Sequence, residues 1–150
     1  MRRLAFVVPR YMPKGAGGAE VLCQLLAERM AKLGHSVEVL TTCAQDHTSW
    51  KNHFPEGESK ANGVTIRRFS VDQDRQMERI HAVELRIVSR RPVTREEEQQ
   101  WIEGGVASRG LIQFLEKEHS RYDFLIFIPY LFGTTYLGAR LFPEKTILIP

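Results

Sequence analysis

Residues 4–42 read LAFVVPRYMPKGAGGAEVLCQLLAERMAKLGHSVEVLTT, and the order of their parts decides the fold. Residues 4–8 are a continuous apolar run, as expected of a strand buried on both faces. Shortly after Pro13 come four small residues, Gly15, Ala16, Gly17 and Gly18. From residue 18 to residue 33, Ala19, Leu22, Leu26, Met30 and Leu33 keep the i, i+3/i+4 spacing of a helix face, widened by Val21 and Leu25. Gly34 supplies the stop. Residues 37–41 then predict a second strand. Glycine in bulk costs backbone entropy, so its concentration between strand and helix asks for a use: a tight turn, a close packing contact or an anion seated on backbone N–H groups.

The same alternation continues. Asn62-Gly63 is a turn signal that introduces a third strand over residues 64–69. A helix is predicted from about residue 75 to residue 89, closed before Pro92. Thr94-Arg95-Glu96-Glu97 has the form of a capping box and starts another helix. Gly104-Gly105 interrupts that helix, and residues 111–119 resume it. Residues 124–128 form a second unbroken apolar strand, 134–141 a short helix, and 146–149 one more strand. The loop over residues 42–62 is long for a compact domain, which makes it functional or mobile. The pattern predicts an α/β fold: a Rossmann-like, mainly parallel sheet with helices on both faces, in three layers. Residues 1–150 have the size of one domain. The chain stops on the apolar run Ile147-Leu148-Ile149-Pro150, and the expectation is a truncated piece of a longer protein.

Composition excludes several classes. Hydrophobic residues are 43% and charged residues 26%, ordinary for a soluble globular protein. No run approaches the ~20 apolar residues of a membrane span, and residues 4–8 are too short for a signal-peptide core. Cys23 and Cys43 lack metal-ligand spacing and read as reduced thiols of a cytoplasmic protein, Cys23 in a helical core. The net charge is +3. Arg86, Arg90, Arg91 and Arg95 fall close together and Arg67-Arg68 is a second pair, but no aromatics are interleaved, which argues against a nucleic-acid partner. A solvated helix face is the plain reading of these arginines. Contact with an anionic lipid surface, at the inner face of a membrane, or with a polyanionic substrate is the sharper one.

In an open parallel sheet, ligands gather where the carboxyl ends of the strands meet the following loops. The loop ending at Gly18 is such a place, and a helix N-terminus suits phosphate. Gly17 and Gly18 would let a diphosphate approach the backbone; close packing of helix on strand explains them equally. The dinucleotide fingerprint fails, because Glu20 stands in the third glycine's place and the second strand ends in Thr41-Thr42 without an acid. No P-loop is present. Glu20 would repel a phosphate, so it either accepts hydrogen bonds from a hydroxyl or fixes the loop. Asp72-Gln73-Asp74 has the Asp-x-Asp form of metal-dependent sugar transferases, but helix capping explains those acids, and no metal is expected. Tyr130, Gly133 and Thr134 follow the strand over residues 124–128 and are candidates for sugar contacts, against a capped helix start with a buried tyrosine. His47 and Trp50, in the long loop, could face an acceptor or simply pack. Gly104-Gly105 lines an acceptor pocket or only bends a helix, and His35 is a loop residue.

Pro9 through Glu20, with Gly17-Gly18-Ala19-Glu20 opening a helix, resembles the amino-terminal signature of family 4 glycosyltransferases. Residues 33–42, LGHSVEVLTT, are similar to that family's LGHxVxVxT pattern. Residues 62–68, NGVTIRR, resemble its third strand. Trp101 with Gly104-Gly105 and Ser108, followed by Tyr122-Asp123-Phe124, is similar to a bacterial branch. The resemblance covers nearly the whole chain. It implies the amino-terminal, acceptor-side half of a GT-B enzyme, which moves a sugar with retention from a nucleotide-diphosphate sugar to a saccharide, lipid or small-molecule acceptor, without a required metal or cofactor. It further implies that Gly17 and Gly18 lie against the donor diphosphate and that a carboxyl-terminal nucleotide-sugar domain is missing, leaving this chain alone inactive; Glu20, His47, Trp50, Gly104, Gly105, Tyr130 and Thr134 are then the candidates for the acceptor side. The alternative is a non-catalytic Rossmann-like module that binds a saccharide, lipid or protein. A nucleotide-dependent oxidoreductase is a third reading, disfavoured by the failed fingerprint.

Overall fold

The first strand, β1 (Arg3–Val7), has no solvent side: Ala5, Phe6 and Val7 are all buried. Past its exposed first residue, Arg3, the strand is apolar at every position and needs cover above and below, and the rest of the chain supplies it. The structure, a computed structural model, describes residues 1–12, 17–73 and 77–150. After β1 come α1 (Gly18–Lys32), β2 (Ser36–Thr42), β3 (Gly57–Ala61), β4 (Val64–Phe69), α2 (Met77–Val88), α3 (Arg95–Gly104), α4 (Arg109–Glu118), β5 (Phe124–Phe127), α5 (Gly133–Gly138) and β6 (Thr146–Leu148).

The strands form one sheet in the order β3-β4-β2-β1-β5-β6. Every neighbouring pair is parallel except β3 with β4. Side-chain alternation sorts the core into two faces. Leu4, Phe6 and Val8 pack with Cys23 and Ala27 of α1, together with Val37, Val39, Val64 and Ile66. Ala5 and Val7 point the other way, onto Leu111 and Leu115 of α4, with Leu40, Leu125 and Phe127. The result is an α/β sandwich of three layers, compatible with a Rossmann-like fold. Gly34, at φ +86, ends α1 where a side chain would be strained.

Several boundaries differ from the sequence expectation for identifiable reasons. The long loop over residues 42–62 contains β3, whose sequence GESKA is exposed throughout and carries no apolar alternation to betray it. Asn62 (φ 51) and Gly63 (φ 81) both adopt the left-handed conformation of a hairpin turn, so the signal that introduced β4 also ends β3. Gly104-Gly105 does not interrupt one helix but separates two. Ser108 caps α4, its side chain accepting from the Leu111 N–H. Thr94 makes both halves of the expected capping box with Glu97. The start predicted for α2 at Arg75 lies outside the described residues. β6 is no buried strand: it sits at the sheet's edge, with Ile147 and Leu148 about half exposed. Among the described residues no helix is long and apolar enough to cross a membrane.

A third, smaller cluster lies beyond the carboxyl ends of the parallel strands. Ala44 and Trp50 follow β2, Val71 follows β4, and Val106 stands between α3 and α4; Phe132, after β5, packs against them.

Candidate functional site

The chain leaves β1 toward β2 on one side, while β5 pairs with β1 on the other. The carboxyl ends of β1 and β5 therefore bound the point where the strand order reverses, the usual crevice for ligands in such sheets. Two groups of residues meet there.

The first is the start of α1. Gly17 is its N-cap, and among the described residues no side chain caps the helix. Both Gly17 and Gly18 are exposed. Among the described residues a Cβ on Gly18 would meet nothing within 4 Å, so none of them requires glycine at this position by packing. Gly17 differs, since a Cβ there would come within 2.8 Å of Glu20 Oε2. Gly15 and Ala16, the other half of the small-residue stretch, lie outside the described residues. Glu20 accepts from Arg10 Nε at 2.9 Å and also from Arg10 Nη2. Of the two roles expected for Glu20, this is the loop-fixing one. The Arg10 guanidinium, whose residue is only 8% exposed, also donates from Nη1 to the Gln45 carbonyl and lies 5.7 Å from the centroid of the Trp50 ring. Arg10 thus ties α1, the loop after β2 and Trp50 together.

The second group is a cavity of about 170 Å³. Trp50, Trp101, Ile80, Ile102, Leu131 and Phe132 form its apolar wall, with Glu84 and Gly105 completing the lining. Trp50 holds a left-handed φ of 56 and meets Phe132 edge to face at 5.4 Å. Its loop is anchored by Asn52, whose side chain exchanges hydrogen bonds with the backbone of Val71. Residues 105–108 are sewn to the exit of β4: the Asp72 N–H donates to the Ala107 carbonyl, and Ser108 Oγ donates to the Ser70 carbonyl. Gly133 allows α5 to sit against this turn, since a Cβ would stand 2.7 Å from the Val106 carbonyl oxygen and 2.9 Å from that of Ile102. The Nε1–H of Trp101 is buried and has no hydrogen-bond partner among the described residues.

Of the acceptor-side candidates, the structure brings Trp50 and Gly105 into this cavity. Gly104 is buried at the end of α3, one residue from the lining. Tyr130 is half exposed on the adjoining loop, not buried as its packing alternative required. Thr134 is fully enclosed, its hydroxyl without a partner among the described residues, and the N-cap of α5 is Phe132 rather than Thr134. His47 is exposed on the loop after β2. Asp72 accepts from the backbone N–H of Arg109, the first residue of α4; Asp74 and the residues leading into α2 lie outside the described residues. His35 Nδ1 accepts from the backbone N–H of Arg2.

Two residues were not singled out by sequence reasoning. Arg10 had one legible sign, a cation directly after a buried strand. Phe132 had none, because a lone aromatic in a loop looks alike whether buried or exposed. At the opposite, amino-terminal edge of the sheet, a second cavity of about 180 Å³ is bordered by Glu38, Arg67 and Tyr122. Part of its charge is paired within the protein: Arg67 donates to Glu38 and Glu58 at 2.7 Å each, and the Tyr122 hydroxyl donates to Glu38; Arg3 and Arg121 line it as well. Burial, then that carboxylate, pushes the Tyr122 hydroxyl's pKa well up. Glu38, Glu58, Arg67 and Tyr122 thus form one network that ties β2, β3, β4 and the segment before β5 together.

No protein-family model, curated protein or solved structure matches the chain.

Proposed function

We propose that the chain is the acceptor-side domain of a retaining glycosyltransferase of the GT-B type, working opposite a nucleotide-sugar domain. One observation carries the reading: α1 begins at Gly17-Gly18 with no side-chain cap from the described residues, beside the point where strand order reverses, and no described residue stands within 4 Å of where a Gly18 Cβ would be. The first-turn N–H groups and the partial positive charge of a helix start suit a diphosphate. Charge grows on that diphosphate as the sugar leaves, and fixed donors are most useful where charge develops. Glu20 does not oppose this, because its charge is matched by Arg10. The cavity beyond Trp50 then offers the acceptor a place on the same carboxyl edge.

The test is a pyrophosphate titration followed by amide chemical shifts. Residues 17–20 should shift together along a saturable curve. Gly18→Ala should keep the fold, at unchanged stability or about 0.5 kcal/mol more, and bind pyrophosphate roughly ten-fold more weakly, a loss of about 1.4 kcal/mol of contact. Absence of any response at these amides, or equal binding by Gly18→Ala, would remove the diphosphate role and with it the physical basis of the transferase reading.

A further inference from the structure

α2 and α3 pack on each other, and the end at which they join takes no part in the core: from residue 84 to residue 103 no residue is buried. An ion pair between Arg86 and Glu97 ties the two helices near that end. Glu97 also closes the capping box with Thr94, so this acid is already engaged. Past the pair, residues 87–95 carry three arginines and no acid. Arg90, Arg91 and Arg95 have no ion pair among the described residues. The same stretch exposes aliphatic side chains: Val88 is 80% exposed, and Leu85 and Ile87 about half. Residues 84–95 include no aromatic side chain.

The close of α2 adds an independent sign. The Arg91 N–H donates to the Arg86 carbonyl and the Arg90 N–H to the Ile87 carbonyl, while Arg90 holds a left-handed φ of 53. This is the Schellman closure, whose left-handed position ordinarily goes to glycine. An arginine is disfavoured there, so folding gives no reason for the cation. Exposed aliphatics beside unpaired arginines match the boundary of a lipid layer, where apolar groups enter the acyl edge and cations meet anionic headgroups. A protein or nucleic-acid partner is matched less well, since both kinds of interface favour aromatic side chains. Glu96 and Glu98, in the first turn of α3, subtract from the attraction, so charge and apolar insertion must act together.

We infer that the joined end of α2 and α3, Leu85 to Arg95, docks on the surface of an anionic bilayer, with Val88 entering the boundary and Arg90 and Arg91 at the headgroups. This docking is independent of the diphosphate site, and an absent pyrophosphate response leaves it standing.

Sedimentation of the full chain with lipid vesicles is the test. Vesicles of phosphatidylcholine with about a quarter phosphatidylserine should carry the chain down, and phosphatidylcholine alone should carry far less. Binding should weaken as salt rises. Arg90→Gly relieves the left-handed position, so its urea midpoint should match or exceed that of the parent. Its vesicle affinity should fall about five-fold, the worth of one arginine at such a surface. Weaker binding at undiminished stability is a pattern that a purely structural role for Arg90 does not give. Arg91→Gln should fall by a similar factor, and Val88→Ser by about ten-fold, the worth of one buried valine. Arg29→Gln, the same loss of charge at an exposed position of α1, should leave binding nearly unchanged. Equal binding to both vesicles, full binding by Arg90→Gly and Arg91→Gln, or an equal loss in Arg29→Gln overturns the inference. So does tighter binding to heparin than to vesicles with Val88→Ser without effect, which would assign the arginines to a soluble polyanion.

Discussion

Arg10 is the residue on which the carboxyl edge turns. It sits one position past a proline that ends a buried strand, and its guanidinium is spent on Glu20, a backbone carbonyl and the face of Trp50. Both side chains of the Arg10–Glu20 pair are about nine-tenths buried, at 10% and 11% exposed. Desolvating two charges offsets most of what their attraction gains, whereas removing one strands the other. Arg10→Met should therefore cost about 3 kcal/mol in urea denaturation. Adding Glu20→Leu should restore part of that stability. A double variant less stable than Arg10→Met would show that Arg10 acts through Trp50 and the Gln45 carbonyl rather than through the acid. The residues of this cluster were unevenly legible. Glu20 was visible as an acid in a first turn, with two roles open, because helix position says nothing about a partner ten residues earlier in a loop.

Elements meet at the carboxyl edge through backbone as much as through side chains. The turn between α3 and α4 accepts the Thr134 N–H at the Val106 carbonyl, and accepts the Asp72 N–H one residue later. Gly133 makes this approach possible. Gly133→Ala would press a methyl group against two carbonyl oxygens that cannot swing aside. It should cost about 2 kcal/mol by overpacking, read as a lower urea midpoint with unchanged slope. Gly18→Ala, with nothing near its Cβ, should show no such loss. The two glycines look alike in a sequence, both placed at a helix start after a strand. Only their surroundings separate a glycine kept for packing from one that packing does not need. The strands and helices themselves were legible wherever apolar spacing was strong: α1, β4 and the capping box of α3 fall within a residue or two of expectation. β3 was not, because an exposed edge strand has no buried face to pattern it.

At the scale of the molecule, the buried layers set how the protein responds to pH. Cys23, on the buried face of α1, has no exposed surface, and burial, aided by Glu20, raises its thiol from 9.0 to about 12. Tyr11 moves the same way, from 10.0 to about 12, again chiefly by burial. A pKa raised by folding means the folded chain favours the protonated form. That contribution is complete below the unfolded values and is lost as pH rises through the folded ones. Stability should hold to about pH 9 and fall between there and about pH 12. Cys23→Ala, although less stable at neutral pH through its cavity, should show a shallower fall across that window in denaturation series. An identical slope would mean that Cys23 ionises as readily folded as unfolded.

Taken alone, the sequence determined the layered α/β plan. A doubly buried strand must be apolar throughout and a covering helix apolar on one face, and both requirements are written locally, within a few residues of each other. It also placed its small residues between a strand and a helix in chain order, which is where a ligand was expected. Tertiary structure alone decided that Trp50 and Trp101, fifty-one positions apart in the sequence, share one cavity, that Arg10 neutralises Glu20, and that Gly18 is free while Gly133 is not. Those facts depend on distances between segments that folding brings together, and no local spacing encodes such a distance.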